Sequence, residues 1–289
     1  MQRDSGQDRI TQDVNRMTFK MERTLILDCK SEVGKQVKIC GWVYTRRDHG
    51  KIIFLDIADR SGMIQVVAVG GKVPDLHPQD VVCITGKVNK RPEHLINKNI
   101  PTGEIELSAE SIEVLSEAQE LPFDMGGKEL NLQLPTLLDF RSLTLRHPKV
   151  KAIFKIQASL LKAFRNAVEE LGCTEIVVPT IVAGATEGGA EVFKIDYFEH
   201  KAYLSQSPQL YKQMMVPVLE RVFVITKAYR AEPSVTTRHL TELTQMDVEM
   251  GFMDFEGLLD SLEGVAVRML RIVEEECRDT LEEFGIEKI

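Results

Sequence analysis

The chain has 289 residues, 43% of them hydrophobic and 28% charged, with a formal net charge of −8 at neutral pH. That length exceeds one ordinary domain and points to about two, each large enough to bury its own core. No run reaches the roughly 18 apolar residues of a membrane helix, and the polar N-terminus carries no signal-peptide stretch, so neither a membrane nor a secreted protein is expected.

Residues 1–22 are polar and without period, and they read as a disordered extension. From about 35 to 115 the pattern changes to short β-rich runs: QVKICGWVYT, IIFLDIAD, MIQVVAV, DVVCITGKVNK and EIELSAESIEVL. DHGK, DRSG and the longer RPEHLINKNIPTG separate them, so five strands are expected in about 80 residues. That count suits a small barrel, either an OB-fold presenting a face to single-stranded nucleic acid or a barrel with no ligand.

Residues 116–145 contain Pro and Gly-Gly and read as a linker with short helical pieces. A helix is expected over about 149–171, with Ile153, Ile156, Leu160, Leu161, Phe164 and Val168 on one face and Gly172 as its stop. TEIVVPTIV reads as a strand, followed by VFKIDYF, AYLSQS, RVFVITKAYRAE and LTQMDVEMGF, with a helix signal in SPQLYKQMMVPVL. A final amphipathic helix is expected from about Phe255 to Leu281. There is no βαβ rhythm, P-loop or GxGxxG, which favours α+β over a doubly wound sheet.

Charge and cysteine usage add two expectations. Residues 21–115 balance to zero, whereas residues 116–289 balance to −9, so the front half is the better home for a polyanion and the back half for small-molecule chemistry. The five cysteines (29, 40, 83, 173 and 277) form no CxxC pair and read as free thiols of a reducing, cytoplasmic compartment. The six histidines are dispersed with no ligand spacing, and no structural metal is expected.

Three segments concentrate chemistry-bearing residues. ATEGGAE sets Glu187 beside two glycines, where backbone can approach a ligand closely. SQSPQLYKQ groups Ser207, Gln209 and Lys212 at the start of a helix. AYRAEPSVTTRHLTELTQMDVEM places Arg230 and Glu232 at a strand end, then Arg238, His239 and Leu240 beyond a short loop. Arginines at both rims suit a phosphate chain through bidentate contacts. Each segment also has a plain reading: Glu187 as a turn cap, Lys212 as a solvated helix charge, and the Arg/Glu/Asp set as an exposed ion-pair ladder.

Taken together, these segments resemble class II aminoacyl-tRNA synthetases. YRAE…TTRHLTELTQMDVEM resembles motif 2 of that class, and LGCTEIVVPTIV, with Pro179, resembles motif 1, which builds the dimer interface. ATEGGAEVFKIDYF…AYLSQSPQLYKQ is similar to aspartyl-tRNA synthetases of archaeal and eukaryotic type. GWVYTRRDHGKIIFLDIADRSGMIQVV resembles their anticodon-binding OB domain, with RRDHG and RPE…N…TGEIE of more bacterial character. The resemblance covers about 25–289.

The resemblance implies an α+β multidomain fold: a five-stranded OB-fold barrel over 23–116, a hinge over 117–146, and an incomplete class II antiparallel-sheet catalytic domain over 147–289. It implies that Arg230 holds the α-phosphate of ATP and the amino-acid carboxylate, stabilising charge as the carboxylate attacks. Glu232 would meet the adenine side, and Arg238, His239 and Leu240 the outer part of ATP. Glu187 would bind the α-ammonium of L-aspartate, while Ser207, Gln209 and Lys212 read its side chain. An ammonium at Lys212 pairs with a β-carboxylate, whereas asparagine would leave it unpaired. In the barrel, Phe54 would stack on an anticodon base, Gln65 read an edge, and Arg47 and Asn97 make further RNA contacts. For Phe54 the plain alternative is a core side chain.

The glycine-rich GxGxGxxR motif 3 of the family is absent before Ile289, as are the acidic residues that hold magnesium. The expectation is an N-terminal fragment of a cytoplasmic, homodimeric aspartate–tRNA ligase, catalytically incomplete alone, with ATP as substrate and no magnesium ligand of its own. The partners implied are tRNA(Asp) and, in one alternative, tRNA(Asn). The alternatives are an asparaginyl or non-discriminating enzyme and a non-catalytic tRNA-binding paralogue.

Overall fold

The computed structural model describes residues 23–69, 73–125, 127, 129–185, 191–233 and 239–289. The expected extension 1–22 lies outside them. The chain divides into two compact units, residues 1–128 and 129–289.

In the first unit, β1 (Gln36–His49), β2 (Ile52–Ala58), β3 (Met63–Val69), β4 (Val81–Lys90) and β5 (Ile105–Ser116) close into a barrel in the order β1-β2-β3-β5-β4. Only the β3–β5 pairing is parallel. Alternation builds the interior: Ile53, Leu55 and Ile57 of β2 point inward with Val37, Ile39, Val43, Ile64, Val66, Val82, Ile84, Val88 and Leu107. These are mostly β-branched residues, whose stiff side chains suit a pleated, buried surface. Where the β4–β5 register slips between Thr85 and Gly86, a Cβ on Gly86 would lie 2.2 Å from the Ser108 carbonyl oxygen, so a side chain there would push the two strands apart.

Asp59 anchors the segment before β1 to the β2–β3 turn. Its fully buried carboxylate accepts from Ser61 N (2.7 Å), Ser61 Oγ (2.6 Å), Gly62 N (3.2 Å), Ile26 N (3.1 Å) and Arg23 Nη2 (3.0 Å). Burial alone would raise its pKa, but the Ser61, Ile26 and Gly62 donors outweigh that and hold the carboxyl below its ordinary value. The neighbouring Cys29 thiol is pushed up to about 11 by burial and by the Asp59 charge.

The cysteine expectation needs correction. Cys40 and Cys83 form a disulfide across β1 and β4, while Cys29, Cys173 and Cys277 are free and buried. The two half-cystines are 43 residues apart in sequence but are register partners, 4.1 Å between Cα atoms. Linear spacing carries no trace of such a pair, because barrel closure creates the proximity.

The β4–β5 loop is drawn tight at Gly103, where a Cβ would sit 1.7 Å from the Asn97 carbonyl oxygen. Asn97 N donates to the Gly103 carbonyl at 3.1 Å, and the buried Thr102 hydroxyl donates to the Met63 carbonyl. The loop that carries Asn97 is thus pinned to the start of β3.

The second unit begins with α1 (Leu134–Asp139) and α2 (Arg141–Thr144), followed by the long α3 (Pro148–Glu170). Pro148 sits at the start of α3, where its missing N–H costs nothing, and Gly172 at φ +79° lets the chain leave. The expected face is mostly the packed one: Phe164 and Val168 are buried, Ile156 and Leu160 pack against Val273, Cys277 and Leu281, and Ile153 alone is 52% exposed. Ala152, Ser159, Ala163 and Ala167 are buried with them, small side chains on the helix that contacts the neighbouring α5 (Phe255–Glu276).

TEIVVPTIV is not one strand. It yields β6 (Thr174–Glu175) and β7 (Ile181–Val182), two short pieces in different sheets, on either side of Pro179, which has no ladder donor to give. β8 (Lys194–Tyr197) and β9 (His200–Leu204) join β7 in the order β7-β9-β8. After α4 (Gln209–Leu219), β10 (Arg221–Tyr229) and β11 (Glu242–Met250) form the other sheet in the order β11-β10-β6, with β6 parallel to β10. The Asp254 side chain caps α5 by accepting from Gly257 N at 2.8 Å. The expected single C-terminal helix breaks at Cys277 before α6 (Arg278–Glu282).

Two outcomes follow from the barrel. Because the folded Asp59 pKa is depressed, its stabilisation is complete above the unfolded value near pH ~4 and is lost as pH falls through the folded value. Asp59→Asn is therefore expected to lower thermal stability at pH 7 and to flatten the acid limb of the melting-temperature curve. Gly103→Ala, which meets backbone rather than a flexible side chain, is expected to cost about 1–3 kcal/mol in denaturant unfolding.

Candidate active site and nucleic-acid interface

The second unit's polar site is a consequence of strand parity. Across the nine register pairs of β10 and β11, one face carries Phe223, Ile225, Val248 and Met250, which pack with Phe164, Val168, Val265 and Met269 of α3 and α5. The opposite face carries the pairs Val222–Glu249, Val224–Asp247 and Thr226–Gln245. On this face Val222 and Val224 pack against Ile176, Met215 and Val216, which fixes α4 over the hairpin.

That packing drives Lys212 of α4 into the interior, where it is only 4% exposed, so it is not a solvated helix charge. Its ammonium lies 3.3 Å from Asp247 Oδ1 and 3.2 Å from Glu249 Oε2. Gln209 Nε2 donates to Glu249 Oε2 at 3.5 Å, and Gln245 Nε2 to Asp247 Oδ2 at 3.0 Å. A buried cation is tolerable only with such compensation. One formal positive charge here faces two negative ones.

Two groups near this face are left open. Gln245 Oε1 and Arg230 Nε are buried without a hydrogen-bond partner among the described residues. Buried polar atoms of this kind are uncommon. Arg230 is half-buried just beyond β10, where its N–H donates to the Thr241 carbonyl at 2.9 Å.

Backbone bonds bring the three sequence segments together. Ser205 N donates to Thr180 O (2.8 Å), and Tyr229 N donates to Ser205 O (2.9 Å). Ala231 N donates to Glu191 O (3.2 Å). Ser207 is buried, its carbonyl accepting from Ser205 Oγ at 2.8 Å and its Oγ from Gln209 N at 3.4 Å. Glu232 is half-buried, His239 and Pro179 are exposed, and Leu240 is 63% exposed. Glu187 and Arg238 lie outside the described residues.

Sequence reasoning passed over Asp247, Glu249 and Gln245. Their signal was present in TQMDVEM, where polar residues alternate with Met246, Val248 and Met250 at a period of two. Among the described residues no group of three or more His, Cys, Asp or Glu could hold a metal ion.

In the first unit, Phe54 faces away from the barrel core, half-buried, opposite Arg47 in the β1–β2 register. The core reading of Phe54 is thereby excluded. Arg47 Nη1 and Nη2 donate to Asp56 Oδ2 and Oδ1 at 2.6 and 3.0 Å, and Nη1 also donates to Thr45 Oγ1 at 3.0 Å. Gln65 Nε2 donates to Glu106 Oε2 at 3.1 Å, and the His49 ring stands edge-on to Phe54 at 5.6 Å. Asn97 is exposed on the β4–β5 loop, its Oδ1 accepting from Asn99 N at 3.0 Å. Arg47, Phe54 and Gln65 therefore share one outer face of the barrel.

The two parts of the chain match known protein families. Residues 37–115 match the OB-fold nucleic acid binding domain described as tRNA_anti-codon, and residues 133–288 match the family described as tRNA synthetases class II (D, K and N). The chain is 42% identical over 268 residues to aspartate–tRNA(Asp/Asn) ligase of Haloferax volcanii, covering 89% of this chain and 60% of that protein. It is likewise 42% identical over 265 residues to aspartate–tRNA(Asp) ligase of Pyrococcus horikoshii, covering 88% and 59%. The crystal structure of P. horikoshii asparaginyl-tRNA synthetase complexed with asparaginyl-adenylate superposes with a TM-score of 0.82 at 33% identity, covering 91% of this chain and 61% of that one. The chain thus spans about 60% of the length of the curated relatives it matches. With an OB-fold barrel in its first unit and the β10–β11 hairpin in its second, the chain belongs to the class II tRNA synthetases of the aspartate, lysine and asparagine group.

Proposed function

We propose that the whole protein is an aspartate–tRNA ligase, which activates L-aspartate with ATP to aspartyl-adenylate and transfers it to tRNA(Asp). The observation that carries this reading is the buried Lys212 ammonium, set on the same hairpin face as Gln245, with Arg230 following directly on the end of β10. A substrate β-carboxylate would compete with Asp247 and Glu249 for that ammonium, and Ser207 and Gln209 would line the same end. Arg230 would bridge the aspartate carboxylate and the α-phosphate, holding them for in-line attack. Glu232, Arg238, His239 and Leu240 would border ATP, and Glu187 the α-ammonium.

In this reading residues 23–116 bind the anticodon, 117–146 act as a hinge, and 147–289 carry motifs 1 and 2. Phe54 would stack on a base, with Arg47, Gln65 and Asn97 around it. The segment at Pro179, beside the 98%-exposed Val177, would meet a second copy in a homodimer. A cytoplasmic location agrees with this, and among the described residues no helix is long and apolar enough to cross a membrane. The name shared by several relatives, aspartate–tRNA(Asp/Asn) ligase, favours a second reading in which tRNA(Asn) is also charged.

Calorimetric titration with a non-hydrolysable aspartyl-adenylate analogue and its asparaginyl counterpart tests the amino-acid half. Lys212→Met is expected to weaken the aspartyl analogue by at least about thirtyfold and to erase the preference for it, because it removes one partner of a buried charge pair. An unchanged preference sinks the assignment. For the RNA half, Phe54→Ala should weaken binding of a tRNA(Asp) anticodon stem-loop by about 1–3 kcal/mol, read by fluorescence anisotropy.

A further inference from the structure

The bond between Cys40 and Cys83 stands apart from the other sulfur chemistry of the chain. Cys29, Cys173 and Cys277 are free thiols buried in apolar clusters. Cys40 and Cys83 instead lie on the side of β1 and β4 turned from the barrel core, since Ile39, Val82 and Ile84 beside them point inward. The two are register partners with Cα atoms 4.1 Å apart, the close, non-hydrogen-bonded kind of antiparallel pair.

This register does not depend on the sulfurs. The interior packing of Val37, Ile39, Val43, Val82, Ile84 and Val88 holds β1 against β4. Reduced, the two thiols would therefore stay side by side, so the bond can open and close without moving the backbone. The pair is also asymmetric. Cys83 is 7% exposed, whereas Cys40 is half-buried, so an incoming thiolate reaches the Cys40 sulfur first. Lys38 stands exposed at the next position on that face of β1, where an ammonium favours the thiolate form of Cys40.

We propose that Cys40–Cys83 is a thiol-exchange site, a reversible latch between β1 and β4 that a small disulfide such as oxidised glutathione closes and a small thiol opens. In closing, the Cys40 thiolate attacks one sulfur of the small disulfide, forms a mixed disulfide and expels one thiolate. The Cys83 thiolate then attacks the Cys40 sulfur, forms the cross-strand bond and expels the second. Two protein thiols lose two electrons and two protons, and the small disulfide takes them up as two thiols. Opening is the reverse, with attack at Cys40 and Cys83 as the leaving group. The bond joins residues 43 apart in sequence and encloses β2 and β3, so closing it restricts the unfolded barrel.

The test equilibrates the full chain in mixtures of reduced and oxidised glutathione, unfolds it in excess N-ethylmaleimide and counts alkylated thiols by intact mass. Three are expected at the oxidised end and five at the reduced end, with the circular dichroism spectrum unchanged. Trp42, the single tryptophan, lies two places beyond Cys40 on the same face of β1. A disulfide quenches indole emission, so Trp42 fluorescence should rise on reduction. The oxidised barrel should melt about 10 °C above the reduced one. Cys40→Ser and Cys83→Ser should each melt with the reduced chain whatever the buffer. In oxidised glutathione, Cys83→Ser should gain one glutathione at Cys40 at least about tenfold faster than Cys40→Ser gains one at Cys83. If either variant does not fold, the mixed disulfide trapped by acid early in reduction of the unsubstituted chain replaces that comparison and should map to Cys40. No bond at any glutathione ratio, a bond that opens only in denaturant, equal melting of the two forms, or an adduct that prefers Cys83 overturns the proposal.

Discussion

The antiparallel register of β10 and β11 is the constraint from which the catalytic-type unit follows. A strand turns successive side chains to opposite faces, so one register assigns every residue of both strands to core or to site. Phe223, Ile225, Val248 and Met250 go to the helices, and Gln245, Asp247 and Glu249 go to the other side. A slip of one residue would bury three polar side chains under α3 and α5 and turn the apolar ones outward. The apolar face therefore does more than hold the sheet to its helices. By making every other register costly, it also holds the polar face in place.

The same rule runs through the barrel. Ile53, Leu55 and Ile57 commit β2 to the core, which leaves Phe54 and Asp56 outside beside Arg47 and Gln65. In both units the candidate face is the other side of a well-packed strand. Each also pairs its cations closely with carboxylates: Lys212 with Asp247 and Glu249, and Arg47 with Asp56. Such pairing limits the free positive charge that either face shows and exchanges attraction at a distance for fixed geometry at contact. A net charge of −8 is compatible with an RNA-binding surface organised in this way.

The strands of the barrel, the long helix and the hairpin strands are legible in the sequence because alternation and helical period are local properties. The misreadings come where a local pattern met a non-local competitor. On α3 the expected face packs as read at Phe164 and Val168, but Ile153 is exposed and the small Ala152, Ser159, Ala163 and Ala167 are buried, because contact with another helix selects residues by fit as well as by hydrophobicity. TEIVVPTIV divided because Pro179 interrupts it and two different sheets claim its ends. Cys40 and Cys83 met because β1 and β4 close the barrel. At the site, Arg230, Ser207, Gln209 and Lys212 stand out by residue type and by resemblance to the family. Asp247 and Glu249 do not stand out, because acidic residues on a strand are ordinary until a buried ammonium is found between them.

By itself the sequence determined the two-unit organisation, the barrel strands, the hairpin strands and the long helices, and the family, since composition, period and contiguous motifs are all written along the chain. Tertiary structure alone decided which side of each strand is turned from the core, that Lys212 is buried and doubly paired, that Arg47 is held by Asp56, and that two distant cysteines are bonded. Those facts depend on register and helix packing, which bring together residues tens of positions apart and have no signature in any short stretch of sequence.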